Sequence, residues 1–192
     1  MSVVRRPRRW GRVGAAALVV ALLLGALTAA AVARGGPRLS TSGPVDVAGT
    51  EATGTFTVAE RTVRQVRYAD QGTLRYTFVL HNDGRLPVEV AGLADEQPSS
   101  RLFTPVDLVA ADDGVTVVPG GGQLEVTLSL LMSGCETLSA RAGAFVTEVV
   151  LRTRTAGAFA DDVSVLLPEE LHTGSPREAF CPESTASSRP PG

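Results

Sequence analysis

Residues 124–132 read LEVTLSLLM, and the alternation within them decides the fold class. Leu124, Val126, Leu128, Leu130 and Met132 fall on one parity, while Glu125, Thr127, Ser129 and Leu131 fall on the other. Side chains of an extended chain point to alternate faces, so a period of two predicts a strand with one buried face. The same pattern occupies 74–81, where Leu74, Tyr76, Phe78 and Leu80 alternate with Arg75, Thr77, Val79 and His81. Asn82-Asp83-Gly84 follows with residues tolerant of positive φ, and a hairpin is expected that returns through Leu86 to Leu93.

Outward from these two runs the pattern continues. Arg101 to Ala110 (RLFTPVDLVA) reads as an edge strand, because Pro105 has no N–H to give to a ladder. Asp112-Asp113-Gly114 turns into Val115 to Val118, and Pro119-Gly120-Gly121-Gly122 turns again into the 124–132 run. Upstream, Thr55 to Tyr68 carries Phe56, Val58, Val63 and Val66, as one long strand or two short ones. Downstream, Ala144 to Thr155 and Phe159 to Leu167 meet at a turn near Ala156-Gly157. Beyond the N-terminal apolar segment no run sustains a 3.6 period, and Pro or Gly interrupts every candidate helix. About seven strands joined by short turns predict an all-β chain, a single β-sandwich of Ig-like or fibronectin-like outline. The Cys, Trp and Cys pattern of antibody domains is missing, since Trp10 lies ahead of the apolar segment.

That segment, Val13 to Ala33, reads VGAAALVVALLLGALTAAAVA, 21 residues without a charge. A spanning helix needs about 20 such residues. The stretch also has the layout of a signal peptide, with Ala31-Val32-Ala33 as a small-x-small cleavage site. Residues 1–12 hold Arg5, Arg6, Arg8, Arg9 and Arg12 and no acid, so they stay inside and everything after about residue 34 is expected outside. Two locations remain: a single-pass membrane protein with its domain outside, or a protein secreted after cleavage following Ala33. Residues 34–52 (RGGPRLSTSGPVDVAGTEA) read as a flexible linker, residues 53–181 as the extracellular domain, and residues 182–192 (PESTASSRPPG) as a disordered tail.

The formal charge of −2 hides an asymmetry. From residue 34 onward 13 arginines face 20 carboxylates, a net of −7, which argues against a nucleic-acid partner. Lysine and isoleucine are absent and Asn82 is the sole asparagine, a codon usage that points to a GC-rich bacterial genome. The two cysteines, Cys135 and Cys181, both fall in the exported part. Outside the membrane such a pair is expected as a disulfide, stabilising by up to about 4 kcal/mol on the chain-entropy model. A metal site is poorly supplied, because two thiolates need further ligands and the chain has only His81 and His172.

Three stretches together, YTFVLHNDGRLPVEVAGL, PVDLVAADDGVTVVPGGGQLEVTLSLLMSGC and the C-terminal AFCP, resemble the single-domain exported Ig-like proteins of actinobacteria. The resemblance covers roughly residues 53–182. It implies a basic start, one transmembrane segment and an Ig-like domain closed by a second cysteine. Most such proteins are uncharacterised, so it implies no active site.

Chemical motifs are sparse. A hydrolase triad needs a nucleophile, a base and an orienting carboxylate, and the only bases are His81, beside a turn, and His172, in a predicted loop. The sequence carries no G-x-S-x-G, H-E-x-x-H or glycine-rich phosphate loop, and Gly120-Gly121-Gly122 reads as a turn. Asp112-Asp113 and Asp161-Asp162 lack the spacing of a calcium loop and, being adjacent, cannot flank a glycosidic bond. Copper would want more Met or His than Met132 and two histidines. The exported part has no Trp to serve as a sugar platform. The expectation is a non-enzymatic module of the cell envelope, without cofactor or metal. Its partners would be the membrane, through the N-terminal helix, and another envelope protein. The alternative is an extracellular binder of a small ligand or envelope glycan.

Overall fold

The structure, a computed structural model, describes residues 36–50, 52–100, 102–111, 114, 116–133, 143–155 and 157–173, together with Leu18, Val19, Leu22 and Gly25. The chain divides into two units, Met1–Gly36 and Pro37–Gly192. In the first unit four of the five described residues, Leu18, Val19, Leu22 and Gly25, are helical and Gly36 is not. The basic residues 1–12, the rest of the 13–33 segment and the 182–192 tail lie outside the described residues, as do Cys135 and Cys181. Among the described residues no helix is long and apolar enough to cross a membrane.

The second unit is all-β, with two sheets arranged as a sandwich. Its strands are β1 (Leu39–Ala48), β2 (Ala52–Val58), β3 (Arg61–Val66), β4 (Thr73–Asn82), β5 (Val88–Leu93), β6 (Phe103–Ala110), β7 (Val117–Val118), β8 (Gln123–Met132), β9 (Ala144–Thr155) and β10 (Phe159–Thr173). A four-stranded sheet runs β1-β4-β8-β6, and a six-stranded sheet runs β2-β3-β10-β9-β5-β7. Every pairing is antiparallel except that of β10 with β3.

The alternation read at 74–81 and 124–132 builds the centre of the four-stranded sheet. Leu74 lies opposite Leu130, Tyr76 opposite Leu128, Phe78 opposite Val126 and Leu80 opposite Leu124. All eight are buried and share one core with Val146, Val149 and Leu151 of β9 and Val165, Leu167 and Leu171 of β10. Burying each such side chain stabilises by about 1.5–3 kcal/mol, so these facing rows dominate the fold. The expected β9–β10 turn and the placing of β6 at a sheet edge are also borne out.

Three expectations are corrected. Among the described residues ten strands replace about seven, partly because residues 55–68 split into β2 and β3 around a turn in which Ala59 has φ 55°. The linker expected over 34–52 instead contributes β1, so the domain begins well before residue 53. Its Ser, Thr and Gly content suits an edge strand, whose ladder with β4 needs backbone groups rather than apolar side chains. Leu39 and Val47 still pack against the core, and Thr41 Oγ1 donates to the Leu166 carbonyl at 2.7 Å, tying β1 to the opposite sheet.

The third correction concerns the hairpin at Asn82-Asp83-Gly84. β4 and β5 do not pair: β1 and β8 occupy both edges of β4, and β5 joins β7 and β9 in the other sheet. The buried Asn82 side chain fixes this arch. Its Nδ2 donates to Leu86 O at 2.8 Å and Val118 O at 3.0 Å, and its Oδ1 accepts from Gly84 N at 3.0 Å. The Pro119–Gly122 turn packs on the same arch, with Gly121 N donating to the carbonyls of Asn82 and Gly84.

Candidate functional site

β6 ends the four-stranded sheet, and β7 extends the facing sheet by a pairing of only two residues. On this side the layers part and leave a cleft of about 270 Å³. Val90, Ala91 and Gly92 of β5, Leu108, Val109 and Ala110 of β6, and Leu124 and Val126 of β8 line it, with Gly114 and Thr116 at its rim loop. Two irregularities open it. β5 shifts register between Val90 and Gly92, where Gly92 has φ 123°, a value that suits glycine. β6 shifts between Pro105 and Asp107. The lining is apolar, with Thr116 as its one polar side chain and the Thr116 carbonyl already accepting from Val90 N at 2.7 Å. Nothing in that arrangement activates a nucleophile or moves a proton; it can take an apolar group. Val106 and Val109 on β6 are half-exposed, at 50% and 49%.

The two histidines sit apart. His81 lies on the outer face of the four-stranded sheet, where its Nε2 is 2.7 Å from Oγ of Ser42 on β1. The pair has the first two members of a hydrolase triad, but Ser42 is exposed and, among the described residues, no carboxylate hydrogen-bonds to the ring. A triad also needs that orienting group and a walled site. His172 stands within β10, not in a loop, and its ring stacks on Phe145 of β9 at 4.3 Å between centroids. The contact covers part of an otherwise half-exposed phenylalanine.

The most buried charges form a third arrangement. Glu169 of β10 points inward and receives both Arg64 Nε at 2.5 Å and an Arg64 terminal nitrogen at 3.1 Å. The Tyr76 hydroxyl approaches the same carboxylate at 3.5 Å. Burial, reinforced by the Glu169 charge, pushes the Tyr76 phenol well above its usual range. Tyr68 is raised in the same way by burial and by its 2.8 Å bond to Asp70. Arg64 and Glu169 clamp β3 to β10 beside their parallel register.

Asp161 and Asp162 lie in β10 opposite Thr153 and Arg152, and Asp112-Asp113 fall outside the described residues. Arg152 bonds Asp95 at 2.7 Å, a contact that pushes its guanidinium pKa up. No group of three or more His, Cys, Asp or Glu that could hold a metal occurs among the described residues. Sequence reasoning missed the cleft because glycine, alanine and leucine carry no chemical signature; only Pro105 hinted at the edge. It missed the Ser42–His81 pair because Ser42 lay in the expected linker, and the Arg64–Glu169 pair because 105 positions separate them. A comparison with protein-family models finds no match, and a comparison with curated proteins finds none either.

Proposed function

We propose that this chain is a non-enzymatic extracytoplasmic module of the cell envelope, an Ig-like sandwich carried by its N-terminal helix, that works by protein–protein contact. One observation carries the reading: among the described residues no strand pairs with the outer edge of β6, which has Val106 and Val109 half-exposed along it and an apolar cleft behind it. Open edges of this kind recruit partners by strand addition. The Ig-like description has support in the strand order. β1-β4-β8-β6 facing β10-β9-β5 follows the A-B-E-D and G-F-C layers of immunoglobulin domains, with β3 lying parallel beside β10. Membership in the actinobacterial exported group and a Cys135–Cys181 bridge belong to the same proposal, on the motifs and compartment argued above.

The test is chemical crosslinking on intact cells followed by purification through a C-terminal tag and mass spectrometry. Repeated enrichment of one envelope protein is expected, and recovery of nothing above an untagged control would overturn the reading. A binder of a small ligand or glycan is the second reading, and the cleft favours it by existing. Its volume falls just under the roughly 300–1,000 Å³ usual for ligand sites, and it lacks converging polar groups to orient a sugar.

A further inference from the structure

We infer that the outer edge of β6 and the cleft beside it form a docking groove for an extended, basic-flanked peptide segment of a partner protein, which adds as a strand and sets one apolar side chain between the sheets. The inference rests on the contact function proposed above and names the partner chemistry.

The phase of the β6–β8 ladder is the first support. Ala111 N donates to Glu125 O at 2.9 Å, one step beyond the Ala110–Val126 pairing. Hydrogen-bonded and non-bonded pairs alternate along an antiparallel ladder, so Val109 bonds toward β8 while Leu108 and Ala110 turn their peptide groups to the open side. A strand added there bonds to Leu108 and Ala110. Directly opposed residues of neighbouring strands project from the same face. Leu108 and Ala110 line the cleft, so the incoming residues that face them point into it as well.

Space and charge agree with that geometry. A void of about 150 Å³ already holds a benzene-sized group, and this cleft offers about 270 Å³ over a buried floor of Val90, Leu124 and Val126. Among the described residues from 102 to 133 there is no arginine or lysine, whereas Asp107 falls on β6 and Glu125 on β8. An apolar anchor between basic flanks is the complement. Edge strands are commonly guarded by prolines and bulges. Here Pro105 and its register shift guard the first half of β6 and leave Leu108 to Ala110 open.

The probe is a short fluorescent peptide alternating leucine and threonine with arginine at both ends, titrated by anisotropy against the full-length chain in detergent. Saturable binding that weakens with salt is expected, lost when the peptide backbone is N-methylated. Ala110→Pro removes an outward N–H without taking a bond from the β8 ladder, and Ala110→Leu fills the cleft without altering the backbone. Each is expected to weaken binding about tenfold or more. Should Ala110→Pro fail to fold, Ala110→Leu and the N-methylated peptide still decide. Equal binding by these variants and peptides, or no saturable binding, overturns the groove. So does self-association through β6, seen as a dimer that Ala110→Leu abolishes. If the peptide fails while crosslinking still captures a partner, the groove falls alone; if both fail, the contact function falls with it.

Discussion

Glu169 is an acid placed among core residues of β10, between Leu167 and Leu171, with 9% of its side chain exposed. A buried carboxylate is tolerable only when paired, and Arg64 supplies a bidentate partner. Removing one partner leaves the other charge uncompensated, so Glu169→Ala is expected to cost about 3 kcal/mol in urea unfolding. The double variant Arg64→Met with Glu169→Leu is expected to recover most of that loss. Equal losses in single and double variants would show that the pair is not coupled. The chain's two tyrosines, Tyr68 and Tyr76, give a pH dependence. Both are raised when folded, chiefly by burial, while in the unfolded chain they titrate near pH 10. A raised folded value means that this stabilisation is whole below about pH 10 and declines as pH climbs toward the folded values. The urea midpoint is therefore expected to fall between about pH 9.5 and pH 11. Tyrosinate absorbance is expected to appear together with unfolding, not before it. Absorbance that rises while the fold persists would show that the phenols meet solvent.

At the scale of elements, each proline inside a strand falls at a register shift: Pro44 between Ser42 and Asp46, Pro105 where the shift to Asp107 begins, and Pro168 between Leu166 and Leu171. A residue without an N–H is tolerated where the ladder is already broken. The chain crosses between sheets at the Asn82–Gly84 and Pro119–Gly122 turns, which pack on one another. A Cβ on Gly120 would stand 2.2 Å from the Arg85 carbonyl oxygen. Gly120→Ala must therefore push the two turns apart, and a loss of about 2 kcal/mol or more is expected. Asn82→Ala strands the Leu86 and Val118 carbonyls and should cost a comparable amount. Unfolding midpoints near wild type for both variants would mean the arches are not fixed by these contacts. The same turns mark where sequence reading stopped. Burial parity at 74–80 and 124–132 is a local property, carried by each strand's own residues, and it was legible. Which sheet receives β5 is decided by a bond from Asn82 to Val118, 36 positions away, and no local pattern encodes it. β1 was illegible for a related reason: an edge strand held by its backbone needs little apolar composition. The cleft followed suit, being the space left between Leu108–Ala110 of β6 and Val90–Gly92 of β5.

Over the whole molecule, the proposed compartment rests on the distribution of charge along the chain. Five arginines precede the apolar segment and a net of −7 follows it, the asymmetry expected of a chain that leaves its N-terminus inside. The strands preceding the two cysteines in sequence, β8 and β10, both finish beside the 66–73 segment. Leu131 of β8 pairs with Thr73, and Thr173 of β10 pairs with Val66. Cys135 and Cys181 thus follow strands that leave the sandwich at one end, an arrangement compatible with a bridge whose formation requires an oxidising compartment. Denatured, unreduced protein purified from the envelope is expected to show no titratable thiol. Reduction is expected to lower stability by up to about 4 kcal/mol, less any strain in the bridge. Replacing Arg5, Arg6, Arg8, Arg9 and Arg12 with glutamine is expected to impair export and leave both thiols reduced in the retained fraction. Two thiols in the envelope-purified protein would refute the bridge. Thiols absent from both the wild type and the arginine variant would show that oxidation does not report the compartment, and the charge argument for export would then need the location of the domain measured directly.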